Sequence, residues 1–469
     1  MKYYFYVVFL TSILLSATHF LFLDDLLKIR IQTTANAGSI TVAYLNDKGE
    51  TVNTSERVIN GRASLRIYSG KMEKLCLTPP EGTKINEVKI TGRKKQSFTG
   101  NSNEWFNKSF KAAAHFDFKI FVIITFLYAA VIYMLLKRES LFDSHVPQMM
   151  NMEFLRLIFA LGIVSYHLAE RLNIFNEGWL GVEFFFILSG FFLTITFTSD
   201  RTTGDFVKSK LIHFIPLLFV CAFFSKAKII PVLSNILLLQ STGLSDDVVP
   251  PQSWFLAVLF WVSLFYFYMM KICPVKVCRL VFALLTFFSY TACRHFGWDG
   301  MINNIFSIRL LRGVAGIGLG YFIAYFYQIS VKYEIKNTLF YTVSEMIVLF
   351  YVVGLKFIKE INPENQIVAV IAFACLIFLF SLKRGGISRY LNKPFLAKIS
   401  ACSFTVYMTH WVLIVDVILR WNQKFPVLLR HKYVLMAGTI MLAWIFGVCV
   451  HKYVEKPITA FLKRKMLLS

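Results

Sequence analysis

Apolar runs of about twenty residues, separated by short polar and basic stretches, recur along most of the chain; residues 24–116 break that rhythm. A helix rises 1.5 Å per residue, so a run of this length crosses the hydrocarbon core of a bilayer. The pattern predicts spans over residues 3–23 and 116–136, then ten more near 152–171, 179–198, 209–225, 254–271, 279–295, 305–327, 338–357, 366–382, 399–420 and 433–451. Residues 229–240 are apolar but too short to cross, and they predict a re-entrant or interfacial helix on the outer side. For the first run a signal peptide is the rival reading. Lys2 alone makes a weak basic flank and no small-x-small cleavage site follows, so the run is taken as an uncleaved anchor.

Residues 24–116 alternate in short stretches, as in Ser39-Ile40-Thr41-Val42-Ala43-Tyr44 and Ala63-Ser64-Leu65-Arg66-Ile67-Tyr68. Turn signals punctuate them at Asn46-Asp47-Lys48-Gly49, Asn60-Gly61 and Pro79-Pro80-Glu81-Gly82. Period two with such turns predicts a small β-sandwich-like domain. The expected organisation is an anchor (1–23), a β-rich domain (24–116), a second span (117–138) and a ten-helix membrane domain (139–469). The fold class is therefore an all-α polytopic membrane protein with about twelve transmembrane helices and an extracytoplasmic β domain between the first two.

Composition agrees: 56% of residues are hydrophobic, 16% are charged, and 48 are Phe, too much apolar surface for one soluble core. The net charge of +23 raises the question of nucleic acid, but the basic residues cluster between the spans. Lys137-Arg138, Lys208 and Lys210, Lys271 and Lys276, Lys332 and Lys336, Lys383 to Lys398, and Lys452 to Lys465 fall on alternate connections. That is the positive-inside pattern; it predicts both termini in the cytoplasm, contact with membrane lipids, and no nucleic-acid partner. Seven of the eight cysteines lie in or beside apolar spans and Cys76 stands alone, so neither a disulfide framework nor metal-type spacing is present.

The run 152–171 contains two expensive residues, Arg156 and His167, separated by ten mostly apolar positions. Ionisable groups inside a membrane cost several kcal/mol and mark function by default. They lie roughly 16 Å apart along one helix, about half the hydrocarbon thickness. On the next span Glu183 lies about one turn below the outer surface, at the depth of His167. A carboxylate beside an imidazole sets its tautomer and stabilises its charged form; a purely structural His–Glu pair is an equal alternative. Ser189-Gly190 lacks the strand–turn–helix setting of a nucleophilic serine and reads as small-residue packing. Arg309 and Arg312 are candidates for acceptor or phosphate contact, with anchoring at the outer interface the preferred reading. Trp105-Phe106 reads as an interfacial anchor before a sugar platform.

These motifs together resemble the integral-membrane acyltransferase family 3, over about residues 149–463. The match rests on Arg156-x10-His167 and on Gly181-Val182-Glu183-Phe184-Phe185-Phe186-Ile187-Leu188-Ser189-Gly190. It extends through Lys208-Ser209-Lys210-Leu211-Ile212-His213-Phe214-Ile215-Pro216 and Ser253-Trp254-Phe255-Leu256. Ser403-Phe404-Thr405-Val406-Tyr407-Met408-Thr409-His410-Trp411 and Tyr453-Val454-Glu455-Lys456-Pro457 complete the set.

The resemblance implies transfer of an acyl group, usually acetyl, from cytoplasmic acyl-CoA to a hydroxyl of an extracytoplasmic polysaccharide or its lipid-linked precursor. It implies a bacterial inner-membrane location and no metal. His167 is then the general base, Glu183 its orienting group and His410 a second catalytic or structural histidine. Arg156, Lys210 and His213 would meet the donor phosphates. Lys210 and His213 stand where the family commonly has two arginines, so bidentate contact is lost there, and Leu259 stands near a place where many members carry glutamate. The competing reading is a transporter or flippase of a lipid-linked glycan, for which paired discontinuous helices would be needed and none is evident.

Overall fold

A computed structural model of the chain describes residues 23–34, 37–45, 51–68, 71–72, 74–91, 95–98, 105–106, 110–111, 113–116, 148–172, 178–224, 229–241, 251–299, 301–302, 306–333, 337–355, 363–411, 413 and 432–466. The predicted spans 3–23 and 116–136 lie outside these residues except at their strand-forming ends, Leu23 and Phe116, and so does most of the second half of span 399–420. The chain divides into two compact units, Met1–Tyr133 and Met134–Ser469.

The first unit is built from antiparallel strands: β1 (Leu23–Thr33), β2 (Ala37–Leu45), β3 (Thr51–Ile59), β4 (Arg62–Tyr68), β5 (Lys71–Met72), β6 (Lys74–Thr78), β7 (Ile85–Thr91), β8 (Lys95–Phe98), β9 (Trp105–Phe106), β10 (Phe110–Lys111) and β11 (Ala113–Phe116). Nine of them form one sheet in the order β8-β7-β1-β4-β3-β2-β6-β9, with β11 also paired to β1. Among the described residues β3 and β4 pair at Ile59 opposite Arg62. Asn60 (φ 49°) and Gly61 (φ 75°) make the turn between them, a backbone conformation that Asn-Gly supplies. Alternate residues of the strands, including Leu27, Ile29, Ile31, Ile40, Val42, Leu75, Leu77, Val88 and Ile90, make one buried cluster. Period-two alternation thus puts every second side chain into this small core.

The second unit is helical. Its elements are α1 (Met150–Leu172), α2 (Gly181–Ile195), α3 (Thr203–Phe224), α4 (Ile229–Ile236), α5 (Trp254–Ile272), α6 (Val275–Phe296), α7 (Ile308–Val331), α8 (Thr338–Gly354) and α9 (Pro363–Leu382). The short α10 (Gly386–Tyr390) and α11 (Pro394–Ser400) precede α12 (Ser403–Trp411), α13 (Lys432–Val450) and α14 (Lys456–Met466). Among the described residues six helices are long and apolar enough to cross a membrane, and two more apolar helices, Thr338–Gly354 and Gln366–Leu382, are shorter. The protein is thus a mostly helical membrane protein with a small N-terminal β region. The predicted re-entrant segment is the eight-residue α4, which ends in a turn with Leu238 and Ser241 at positive φ.

Two contacts position the site helices. Asn151 at the start of α1 donates to the Phe380 carbonyl (2.8 Å) and the Ser388 carbonyl (3.3 Å), fixing that end of α1 against α9 and α10. Helices α2 and α7 run parallel and touch backbone to backbone. A Cβ at Gly190 would overlap the Ile317 carbonyl, one at Gly316 would overlap Phe186, and one at Gly320 the Ile187 carbonyl. Lipid gives helices no hydrophobic reason to associate, so small residues that admit close packing hold such pairs together.

Replacing Gly320 with Leu should therefore push α2 and α7 apart and destabilise the fold by about 1–3 kcal/mol, the usual cost of overpacking. Gly204→Ala, whose Cβ would meet only Thr202 at 3.7 Å, is the control that should leave the thermal melt in detergent unchanged.

Candidate active site

At the end of α1 opposite Arg156 the helices enclose a cavity of about 540 Å³. Its walls carry Tyr166 and His167 from α1, Trp179 and Val182 at the start of α2, Trp254 at the start of α5, Arg309 and Arg312 from α7, and Tyr407 from α12. Apolar helices have no reason to place three tryptophans, three arginines and a histidine around one space unless that space receives something polar.

The His167 ring stacks on the His410 ring, with centroids 5.3 Å apart and planes 19° from parallel, and meets Trp411 edge-on at 5.3 Å. His410 is 1% exposed, and its Nδ1 lies 2.5 Å from the Tyr407 carbonyl. A carbonyl only accepts, so Nδ1 carries the hydrogen and Nε2 is left with its lone pair. Tyr407 is fixed in turn: its hydroxyl donates to the Gln252 carbonyl at 3.1 Å, while the Gln252 amide donates to the Met408 carbonyl at 2.6 Å. The late Ser-x-x-x-Tyr-x-x-His segment thus contributes a rigid second histidine directly against the first.

Glu183 is placed differently from the sequence expectation. Its carboxylate is fully buried and accepts from Nε of Arg312 at 2.6 Å. The ring stacked on His167 is a second imidazole. The same depth in the membrane offered Glu183 two neighbours, and the face it shares with Phe186 and Gly190 turns it toward α7, where a full guanidinium charge waits. Arg312 also donates from Nη1 to the Trp298 carbonyl at 3.0 Å and lies over Trp254 (5.1 Å), Trp179 (5.4 Å) and Trp298 (5.8 Å). At 4% exposure it is no interfacial anchor. One turn earlier, Arg309 grips Asp299 through two bonds, 2.6 and 3.0 Å, and reaches Ser241 at 3.1 Å.

The opposite end of α1 gathers cations. Arg156 bonds the Glu153 carboxylate at 2.9 and 3.2 Å and covers Phe192 at 5.2 Å. Lys210 lies over Phe206 (5.5 Å) together with Arg201 (5.3 Å), and Arg156 and Arg201 both act electrostatically on Lys210. His213 faces the fields of Lys463, Lys210 and Glu455. Sequence reasoning brought Arg156, Lys210 and His213 together but overlooked Arg201, whose guanidinium donates to Ser209 one helix start away. Glu455 accepts from Thr405 and bonds His451 at 2.7 Å within a π-helical turn, His451–Glu455. Pro457 accounts for that turn, because its ring clashes with the carbonyl four residues earlier, Tyr453. Among the described residues no group of three or more His, Cys, Asp or Glu side chains is arranged to hold a metal.

The family model described as an acyltransferase domain matches residues 150–450. That match spans well over half of the chain and takes in both ends of α1, so the protein belongs to acyltransferase family 3. No curated protein matches the chain.

Because the Glu183–Arg312 pair is buried, removing one partner leaves a charge without its counter-ion. Arg312→Met should cost about 3–5 kcal/mol, and the double variant Glu183→Met/Arg312→Met should recover most of the loss. Thermal melts of the purified variants check this; a single variant as stable as the parent would contradict the pairing.

Proposed function

We propose that the protein is an O-acyltransferase that moves an acyl group, most simply acetyl, from cytoplasmic acyl-CoA to a hydroxyl of an extracytoplasmic cell-surface polysaccharide or its lipid-linked precursor. The observation that carries this reading is the polarity of α1. Near one end Arg156 joins Arg201 and Lys210 in a cation cluster, and the other end, roughly 16 Å away, bears His167 stacked on His410 at the wall of the cavity. The cations meet the donor's phosphates by charge-assisted hydrogen bonds. The extended pantetheine arm then brings the thioester toward His167. The basic connections between the spans support an inner-membrane orientation with the cation cluster facing the cytoplasm.

In this mechanism the sugar hydroxyl enters the cavity and His167 takes its proton as the oxygen attacks the thioester carbonyl. The carbon–sulfur bond breaks, and the CoA thiolate leaves and accepts the proton. His410, locked by the Tyr407 carbonyl, holds the His167 ring in place. Glu183 acts on this site through Arg312, as a positioning residue. Direct attack and a route through an acylated His167 require the same groups.

His167→Ala should lower acetyl-CoA hydrolysis and transfer by about 10²–10⁴-fold without changing the thermal melt. Lys210→Ala should raise KM for acetyl-CoA about tenfold, the equivalent of one charge-assisted contact, with kcat little changed. Steady-state kinetics of the protein in nanodiscs reads both effects. Full activity in His167→Ala would overturn the mechanism, and no hydrolysis or transfer by the parent protein would favour the transport reading.

A further inference from the structure

Beside the cavity the helices leave a second space, and this one is apolar throughout. A groove of about 80 Å³ lies among α1, the start of α2, the end of α8 and α9. Its walls are Leu, Ile, Val and Phe side chains and three glycines, Gly162, Gly178 and Gly181, with no polar side chain among them. Ile158 (45% exposed) and Val353 (54%) stand on its rim, so it opens to the lipid side of the bundle. Phe159 is a fixed wall: it stacks on Phe184 with centroids 3.9 Å apart and meets Phe373 edge-on at 5.4 Å.

The groove and the cavity run along the same helices. Gly162 lines the groove and Ile163 the cavity; Gly178 and Trp179 divide in the same way, as do Gly181 and Val182. On α1 the groove residues Leu155 and Phe159 continue at intervals of four into the cavity residues Ile163 and His167, one slowly winding stripe of that helix. On α9 the groove residue Phe373 lies two turns after the cavity residue Gln366. From Leu155 to Gly162 the groove follows α1 for about 10 Å. The donor cations occupy another side of α1, where Arg156 covers Phe192 of α2 and acts on Lys210 of α3.

We propose that the groove holds the hydrocarbon chain of the acceptor, a glycan linked to a single-chain polyprenyl carrier, while the sugar head occupies the cavity. One narrow groove takes one chain, which favours a polyprenyl carrier over a two-chain phospholipid anchor. Moving the chain from lipid into the groove gains no hydrophobic energy, because lipid tails are as apolar as the groove. What the groove supplies is orientation: a seated chain holds its head at high effective concentration beside His167. The proposal rests on the acyltransferase reading for the chemistry of the head and selects the lipid-linked acceptor over the free polysaccharide. Chain binding itself needs no acyl donor.

The test is photolabelling of the full-length protein in phosphatidylcholine nanodiscs, without acyl-CoA, by farnesyl phosphate carrying a chain-terminal diazirine. Labelling of the α1, α8 and α9 segments that line the groove should saturate with probe and fall about fivefold in excess unlabelled geranylgeranyl phosphate. The same mole fraction of phosphatidylglycerol or palmitoyl-CoA should leave most of it. Ile158→Trp and Val353→Trp, both on the lipid-facing rim where a larger ring can be accommodated, should each cut labelling about fivefold by filling the groove. Phe350→Trp, at a position 83% exposed on α8 and outside the groove, should not. Labelling that rises in proportion to probe, that phosphatidylglycerol displaces equally, or that survives both rim variants makes the occupant ordinary bilayer lipid and overturns the proposal. Displacement by palmitoyl-CoA alone would assign the groove to a donor chain and overturn it as well. Acetyl-CoA hydrolysis by the same nanodiscs separates these failures from a failure of the acyltransferase reading.

Discussion

The contact on which the helical unit depends is the buried bond between Glu183 and Arg312. Two full charges inside an apolar bundle are tolerable only when each cancels the other with good geometry. The 2.6 Å bond does this, and it sits at the end of a close-packed seam in which Gly190, Gly316 and Gly320 bring α2 and α7 into backbone contact. The seam sets the register, the register puts the carboxylate opposite the guanidinium, and the guanidinium in turn gathers Trp179, Trp254 and Trp298 around the cavity. The cavity wall beside His167 is therefore built outward from one ion pair.

A second constraint is the rigidity of α1. One continuous helix, Met150–Leu172, carries both Arg156 and His167, and Asn151 anchors its first turn to the carbonyls of Phe380 and Ser388. A reaction that joins a donor on one side of a membrane to an acceptor on the other needs its two binding sites held at a fixed spacing. Polar bonds tie α4 and the turn after it to the residue before α5: Gln240 donates to the Ser253 carbonyl at 3.1 Å and Ser253 to Asn235 at 2.5 Å.

Much of this was legible in the sequence. The apolar runs gave the helical membrane character, the alternation at residues 39–44 and 63–68 gave the β region, and the motif series gave the family that the domain match shows. What depth along a span could not give was direction around the helix. Glu183 and His167 lie at similar depth on successive spans, which made them look like partners. The decisive signal was present in the glycines: Glu183 lies seven residues before Gly190, and Arg312 lies four before Gly316, on one face of each helix. Reading that register would have paired the carboxylate with the arginine and removed Arg312 from the membrane interface. His410 shows the opposite case, where a motif identified a residue whose stacking on His167 no helical periodicity could specify.

The proposed acyl transfer to a cell-surface glycan depends on His167 as its base. Mass spectrometry of those glycans from cells that carry the protein, lack it, or carry His167→Ala tests this most directly. The account predicts that the glycans of the parent strain exceed those of both other strains by one acyl unit, most simply an acetyl. Glycans that remain fully acylated in the His167→Ala strain would contradict it.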